Sequence, residues 1–570
     1  MIKKLLQEGV LSLVKPHKDQ FISNVFIIPK PDGSHRLVIN LKSFNEFVRT
    51  SHFKLETHKT VSQVITPNCY MQNIDLQDAY YLVPIHNRHK KYLRFRFKGS
   101  IYEYNCLPFG LSCAPQVFTK ILRPVIYHLR KNGFLSVNYL DDFLLLGKTR
   151  KECALNTRET IRLLEHLGFL INYKKSALNP DRICKFLGFQ YNSSNMTISL
   201  PQKKRAKLKK LIQQFSTKKA CVIREFSKFI GNLVSAAPAI RYGFLYIKLF
   251  EREKLKALNR VNGNYDAKMN IAPHLSPDFS WWLAHIDLSY NYIHHEKFAI
   301  EIFSDASKSG WGAHCDSETI FGFWSTREKH KHINELELLA ALFALKCFSK
   351  NLSNCHVLCR IDNTTAVSTI NRFGSVKFTN LNRLARKIWN YCEEKQIIIF
   401  ASYINSTTNV DADRASRQVH METEWSLSEF AFSKIVDKFG VPKIDLFASR
   451  INKKCEIFIS WLRDPEAYNV DAFTLHWQGM AFYAFPPFSL ILKVLQKIIK
   501  DKAEGIIVVP QWCSQPWYPI FKTLLIGDPL IFTPNMHLLS FSGVPHPLWR
   551  NLTLVAGKLS GRRYYKGECP

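Results

Sequence analysis

None of the 14 cysteines forms a CxxC pair, and the one close spacing, Cys355 and Cys359, has no second pair to complete a zinc site. A zinc ribbon is excluded, and the thiols read as reduced intracellular ones. No run of about 18 apolar residues exists, so no segment is expected to cross a membrane. The start, MIKKLLQEGVLSLVK, is interrupted by Gln7 and Glu8 and is followed by no small-residue cleavage site, so no signal peptide is expected. No fixed-period repeat or low-complexity tract breaks the chain. Acid is scarce beside base: 46 Asp and Glu against 79 Lys and Arg leave a net charge of +33. Solubility accounts for a magnitude of about 2 to 8. The excess makes nucleic acid the default partner, through attraction to polyphosphate.

At 570 residues and 46% apolar content the chain can bury several cores, and one domain per ~100 to 200 residues suggests three or four units. Residues 20 to 195 mix short β-rich runs with helical patterns and turn signals such as Pro31-Asp32-Gly33, as in one α/β unit. From Pro201 a basic run leads into Leu208, Leu211, Ile212 and Phe215 at helical spacing, and Ile223, Phe226, Ile230 and Leu233 continue in a second helix. That lysine run is either a solvated face or a grip on a duplex backbone. A β-rich unit opens near Phe298 and closes near Arg417, and residues 425 to 570 read as another α/β unit.

The segment SVNYLDDFLLLG sets Asp141 and Asp142 between β-prone runs, which predicts a tight hairpin with the acids at its tip. Upstream, YMQNIDLQDAYYLVPI ends a short strand-like run at Asp75 and adds Asp78 three residues later. Carboxylates on neighbouring strand ends can hold two Mg²⁺ roughly 3.5 to 4 Å apart, the arrangement that serves nucleotidyl transfer. Either segment alone is weak, because acid pairs in turns are common. Four further blocks accompany them: IPKPDGSHRLVINLKSFN, LPFGLSCAPQVF, LGFLINYKKS and FLGF.

In order and spacing these six blocks resemble the reverse transcriptases of retroviruses and long-terminal-repeat retrotransposons, over about residues 1 to 195. The resemblance implies a metal-binding triad of Asp75, Asp141 and Asp142, with Lys30 and Arg36 as finger residues contacting the incoming triphosphate. It places Tyr80 under the sugar, where a 2′-hydroxyl would clash. Asp78, Ala79 and Tyr81 line the same pocket, Lys175 is the motif lysine near the leaving phosphates, and Gly110 and Pro115 shape the template loop. Phe109 stands where retroviral enzymes often have Gln, and Leu187, Gly188 and Phe189 correspond to the primer grip. Asn40 and Lys42 depart from the commoner Asp and Arg and receive no role.

The second unit offers Asp305 in FSDASKSGWGA, Glu337 in HINELELLAALFAL, Asp362 in CRIDNTTAV and Asp413 in NVDADRASR. Asp305 interrupts a β-run followed by Gly310 and Gly312, Glu337 lies among apolar residues at helical spacing, and Asp362 ends a strand-like run. Four acids converging on two Mg²⁺ can activate water for phosphodiester hydrolysis. Order and context resemble ribonuclease H over about residues 298 to 418, with Asn409 matching the family's asparagine before the last acid. The loop SYINSTTNV lacks the histidine many homologues carry there.

No aspartic-protease DSG or DTG triplet, integrase zinc knuckle or integrase acid triad is present, which weighs against a complete retroviral polyprotein. The tail, with IDLFASRINKKC, AFYAFPPFS and GIIVVPQWCSQPWY, resembles the phage-type adenine N6-methyltransferase domain that follows ribonuclease H in DIRS-type retrotransposons, over about residues 440 to 525. In active members a polar Asp or Asn precedes the two prolines and accepts a hydrogen bond from the target amine. Phe485 holds that position and cannot accept it.

The implied architecture is mixed α/β and α+β multidomain: a right-hand polymerase with fingers and palm over 1–197, a helical thumb and connection over 198–295, ribonuclease H over 296–420, and an inactive α/β methyltransferase-like domain over 425–570. The implied partners are an RNA template, a DNA primer, RNA–DNA hybrid and dNTPs, with two Mg²⁺ per active site (Mn²⁺ a substitute), an element-encoded recombinase, and work in cytoplasm and nucleus. Two other readings stand beside this one. One is a non-catalytic nucleic-acid-binding relic, against which seven metal-ligand candidates remain in place. The other is a DNA adenine methyltransferase acting through the tail, against which stands Phe485.

Overall fold

The computed structural model describes residues 1–29, 33, 35–287, 290–293, 297–418, 424–541 and 543–564. Lys30, expected to contact the triphosphate, lies outside the described residues. The chain divides into two bodies, one of residues 1–243 with 268–295 and one of 244–267 with 296–570. The segment expected as a single helical unit over 198–295 is therefore split. Its middle stretch joins the second body because Phe244 packs on Phe373 and the Tyr246 hydroxyl donates to Glu393.

In the first body the strands run β1 (Leu11–Val14), β2 (Ile22–Pro29), β3 (His35–Asn40), β4 (Tyr70–Asp75), β5 (Arg94–Phe97), β6 (Ser100–Tyr104), β7 (Ser136–Tyr139), β8 (Asp142–Gly147) and β9 (Ala177–Asp181). They form two sheets, ordered β1-β6-β5-β2-β3 and β7-β8-β4-β9. Phe143 to Leu146 of β8 are all buried, the pattern of a strand covered on both faces. The helix Ala114–Lys131 buries Phe118, Leu122, Val125 and Leu129 at i, i+4, i+7 and i+11, one stripe facing that sheet's core. Each such side chain contributes about 1.5 to 3 kcal/mol.

Beyond β9 the chain adds β10 (Ile183–Phe186), β11 (Phe189–Asn192) and β12 (Thr197–Ser199), then two helices, Gln202–Ser216 and Ile223–Ala236, with β13 (Ala220–Val222) between them. The helices pack through Phe215 on Phe229, ring centroids 4.6 Å apart, as their apolar spacing predicts. After residue 267 the chain returns to this body: β14 (Lys268–Asn270) pairs with β13, and β15 (Tyr290–Tyr292) pairs with β12.

In the second body β16 (Ile300–Ala306), β17 (Gly310–Cys315), β18 (Glu318–Phe323), β19 (His356–Ile361) and β20 (Ile398–Tyr403) form a sheet ordered β18-β17-β16-β19-β20. The first three strands are antiparallel, and β16, β19 and β20 are parallel. The helix Ile333–Phe348 lies on it with residues Leu336 to Leu345 all buried.

The tail contributes β21 (Ser426–Leu427), β22 (Ile444–Asp445), β23 (Ile457–Ser460), β24 (Asn469–Val470), β25 (Phe482–Ala484), β26 (Glu504–Pro510), β27 (Leu530–Phe532), β28 (Leu539–Phe541), β29 (Val544–Pro545) and β30 (Leu554–Ser560). Its main sheet is ordered β24-β23-β22-β25-β26-β30-β27, parallel through β26, with β30 antiparallel to both neighbours. The strand order reverses between β22 and β25, and a cavity of about 680 Å³ opens outside the carboxyl ends of β22, β23 and β25, walled on its other side by Trp311 of β17 and Phe321 to Phe323 of β18.

Candidate active sites

β4 and β8 run antiparallel in a register that sets Asp75 directly opposite Asp142. The β7–β8 connection is two residues, Leu140 and Asp141, closed by the pair Tyr139 and Asp142. The expected hairpin with acids at its tip is present. Leu140 takes φ +56°, unfavourable for a residue with a branched side chain. The turn is held by the Asn138 amide donating to the Leu140 carbonyl at 3.0 Å and by the Leu76 N–H donating to the Asp141 carbonyl at 2.9 Å. Asp75 is fixed from the other side: the Asn172 Nδ2 donates to its Oδ1 at 2.8 Å, and its own N–H donates to the Ser176 hydroxyl.

Burial, and then the neighbouring charges of Asp141 and Asp75, push the Asp142 carboxyl up to about 7. Burial, and then Asp75, also raise Asp141, while Arg36 and Lys175 act to lower it. Two carboxyls whose ionisation is opposed by burial and by each other, beside Asp75, concentrate negative charge that divalent cations fit.

Around them, Asp78 (φ +45°) opens the turn Ala79–Leu82. Ala79 is buried, and the Tyr80 ring packs 5.3 Å from both Phe109 and Phe118. Burial raises its hydroxyl to about 12. Tyr81 meets Phe109 edge-on, and the Arg36 guanidinium lies 4.2 Å over the same ring. Gly110 has φ +111°, and a Cβ there would lie 2.4 Å from the Ile39 carbonyl oxygen, so the position admits only glycine. Asn45 pins this loop by donating to the Gly110 carbonyl and accepting from the Ser112 N–H. Leu187 and Gly188, both at positive φ, form the two-residue turn between β10 and β11. Asn45 and Asn172 are positioning residues that the sequence does not distinguish from their neighbours, although both lie inside the blocks that carry the resemblance.

In the second body Asp305 on β16, Glu337 on the helix Ile333–Phe348 and Asp362 just past β19 offer carboxylate oxygens within 4.8 Å of one another. The oxygens of Asp362 are further ordered by the Ser406 hydroxyl, which donates to Oδ2 at 2.9 Å. Burial, then Asp305 and Asp362, push the Glu337 carboxyl up to about 9, and its Oε2 is buried with no hydrogen-bond partner among the described residues. An orphaned carboxylate oxygen facing two other acids fits a divalent cation. Asp413, expected as the fourth ligand, is not in this group: its Oδ1 accepts from the Arg417 Nε and Nη2 at 2.9 and 2.7 Å. Asn409 donates to the Ser304 carbonyl, tying the helix Val410–Ser416 to β16.

The folded body keeps on Glu337 a proton that the unfolded chain releases near the ordinary value of 4.5. That stabilisation is full below about pH 4.5 and is lost as pH rises through about 9. In chelator the melting temperature should therefore fall between pH 5 and 9, Mg²⁺ should flatten the curve, and Glu337→Gln should remove part of the fall. Thermal melts at both metal conditions check this, and a fall of the same size in Glu337→Gln contradicts it.

Residues 28–191 match the family of reverse transcriptases (RNA-dependent DNA polymerases). The chain is 23% identical over 443 residues to the enzymatic polyprotein of cauliflower mosaic virus (strain Strasbourg), covering 73% of this chain and 60% of that one. It is 24% identical over 173 residues to the transposon Tf2-3 polyprotein of Schizosaccharomyces pombe, covering 30% of this chain and 13% of the relative. Among solved structures, a foamy viral protease-reverse transcriptase in complex with double-stranded DNA aligns with a TM-score of 0.46 at 18% identity, over 70% of this chain and 68% of that one. The chain thus spans about 60% of the length of the first viral polyprotein it matches. The matched segment contains Asp75 and Asp142 on facing strands and Asp141 in the adjoining turn, so residues 28–191 are similar to reverse transcriptases, in a chain similar to viral and transposon polyproteins.

Proposed function

We propose that the chain is an RNA-directed DNA polymerase joined to a ribonuclease H, copying retrotransposon RNA into DNA and degrading the RNA strand of the hybrid. The observation that carries this reading is the register of β4 against β8, which faces Asp75 with Asp142 and sets Asp141 in the adjoining turn. Asp75, Asp141 and Asp142 would hold two Mg²⁺, with Mn²⁺ a substitute. Bound there, the ions supply activation of the primer 3′-hydroxyl and neutralisation of the leaving pyrophosphate. Lys30, Arg36 and Lys175 offset the triphosphate charge. Tyr80, wedged between Phe109 and Phe118, presents a rigid wall to a 2′-hydroxyl, while Asp78, Ala79, Tyr81 and Gly110 complete the pocket. Asp305, Glu337, Asp362 and Asp413 serve the nuclease, Asp413 while its Oδ1 accepts from Arg417.

The units are fingers and palm (1–197), thumb and connection (198–295, of which 244–267 fold with the second body), ribonuclease H (296–420) and a methyltransferase-like tail (425–570). The tail's parallel sheet, with its crevice at the strand-order reversal, supports that last reading, but methyl transfer is not expected from it. Phe485 cannot accept a bond from an amine, and the turn after β22, Leu446 to Arg450, has no glycine to admit a cofactor close to the backbone. The element is of DIRS type, works in cytoplasm and nucleus, and relies on a recombinase encoded elsewhere in it.

The test is one purified chain given a primed RNA template with dNTPs and Mg²⁺, an RNA–DNA hybrid, and labelled S-adenosylmethionine with adenine-containing DNA. Primer extension and cleavage of the RNA strand are expected, without methyl label. Absence of extension overturns the polymerase reading.

A further inference from the structure

Arg450, in the turn after β22, is almost wholly buried, its side chain only 7% exposed, and it bonds outside its own domain. Its Nη1 and Nη2 donate to Glu328 Oε1 and Oε2 at 3.2 and 2.5 Å, and Nη2 also donates to the Phe323 carbonyl at 2.9 Å. The guanidinium lies 4.4 Å over the Phe343 ring. Its backbone is anchored on the tail side, where the Arg450 N–H donates to Asp464 Oδ2 at 3.0 Å.

All three of its partners bear on one element. Phe323 ends the edge strand β18, and Glu328 sits in the link from β18 to the helix Ile333–Phe348. There it also accepts from the Ser325 N–H and hydroxyl. Phe343 is on that helix itself, six residues beyond Glu337, packed against Trp311 and Trp324. One side chain from the tail therefore grips the helix bearing Glu337 on its face and on the link that leads into it. A fork of parallel bonds fixes orientation as well as distance. Around it Arg463 pairs with Glu318, Lys350 donates to the Ala467 and Tyr468 carbonyls, and Phe541 meets Phe323 edge-on. The β18 edge, otherwise open to strand addition, is thereby flanked.

We propose that the tail is a structural cofactor of the nuclease, with Arg450 the positioning residue that holds Glu337 in register with Asp305 and Asp362. This rests on the nuclease reading given above. Arg450 touches no reacting group; it acts through the helix.

The test uses the full chain and reads hybrid cleavage, the Mg²⁺ concentration for half-maximal cleavage, primer extension and thermal melting. Arg450→Met should lower cleavage about 10- to 100-fold, the loss expected when a reacting constellation is displaced by about 1 Å. It should raise the Mg²⁺ requirement and leave extension unchanged. Glu328→Gln, which keeps the shape of the link, should act in the same direction, and Arg450→Lys should recover part of the loss. The double variant should lose no more than the worse single one, because both break one interaction. If Arg450→Met does not fold, Glu328→Gln and its Mg²⁺ dependence decide. Unchanged cleavage and Mg²⁺ requirement in a folded variant, or losses that add, overturn the proposal. A wild-type chain that extends primers but cleaves no hybrid removes the nuclease reading and this inference with it.

Discussion

Asp141→Ala should abolish primer extension while leaving hybrid cleavage intact, and Glu337→Gln should do the reverse. The two acid sets lie in different bodies and share no residue. Asp141 stands in a two-residue turn beside Asp75 and Asp142, so its removal deletes a ligand without disturbing the β4–β8 register that holds the other two. A catalytic cation contributes several kcal/mol to stabilising the transition state; losing about 4 to 6 kcal/mol corresponds to roughly 10³- to 10⁴-fold in rate. Glu337→Gln keeps volume and helix but removes the charge that would meet the cation. Single-nucleotide extension and cleavage of a labelled hybrid, run on the same preparations, read both arms. Wild-type extension by Asp141→Ala would falsify the polymerase assignment.

Gly312→Ala should silence the nuclease from a position that touches no substrate. A Cβ there would lie 2.3 Å from the Ala412 carbonyl oxygen, 2.4 Å from the Ser416 nitrogen and 2.6 Å from the Ala415 Cβ. Two of those atoms are backbone, so no side chain can swing aside, and the helix Val410–Ser416 must move off β17. Overpacking costs about 1 to 3 kcal/mol, and a rigid neighbour puts this case near the upper end. The same shift displaces Asp413 and pulls on the Asn409 bond to Ser304, so cleavage should fall about 100-fold or more. Gly231→Ala is the contrast: it lies in the helix Ile223–Ala236 with nothing among the described residues within 4 Å of the new Cβ, and should stabilise by about 0.5 to 1 kcal/mol. Melting curves and cleavage rates for both variants check the pair, and full cleavage by Gly312→Ala contradicts the packing argument.

What could be read from the residues was local. The hairpin from Ser136 to Gly147 is a β-prone run on each side of two polar positions, and it appears as expected. The helix stripes at Leu208 to Phe215 and Ile223 to Leu233 follow from period alone. Glu337 among apolar residues was legible because an acid in a buried stripe has no cheap structural use. The pairing of Asp413 with Arg417 has the i, i+4 spacing of a helix-surface ion pair, and that spacing is equally compatible with an acid turned toward a metal, so the residues alone do not decide between them. Contacts between residues far apart in sequence left no signal: Arg36 over Phe109, Asn45 on Gly110, and Arg450 on Glu328 across 122 positions. Nor did composition reveal that 244–267 belongs with the second body, since its apolar spacing suits any aromatic surface, and that surface is built from Phe373 and Trp389 more than a hundred residues later.

That excursion has a consequence for biosynthesis. As the chain leaves the ribosome, β12 and β13 emerge well before their partners β15 and β14, and between them come Tyr246 and the helix Lys248–Arg260, whose neighbours Glu393 and Thr379 have not yet been made. At roughly 5 to 20 residues per second the wait for those neighbours is on the order of 6 to 30 s. During that interval Phe244 and Tyr246 lack their eventual partners while strand edges nearby are open, a state in which nascent chains associate wrongly. Slow decoding or chaperone capture should matter most while codons 244 to 393 are being translated, and severing the coding sequence at residue 243 should yield a first half that aggregates for want of β14 and β15.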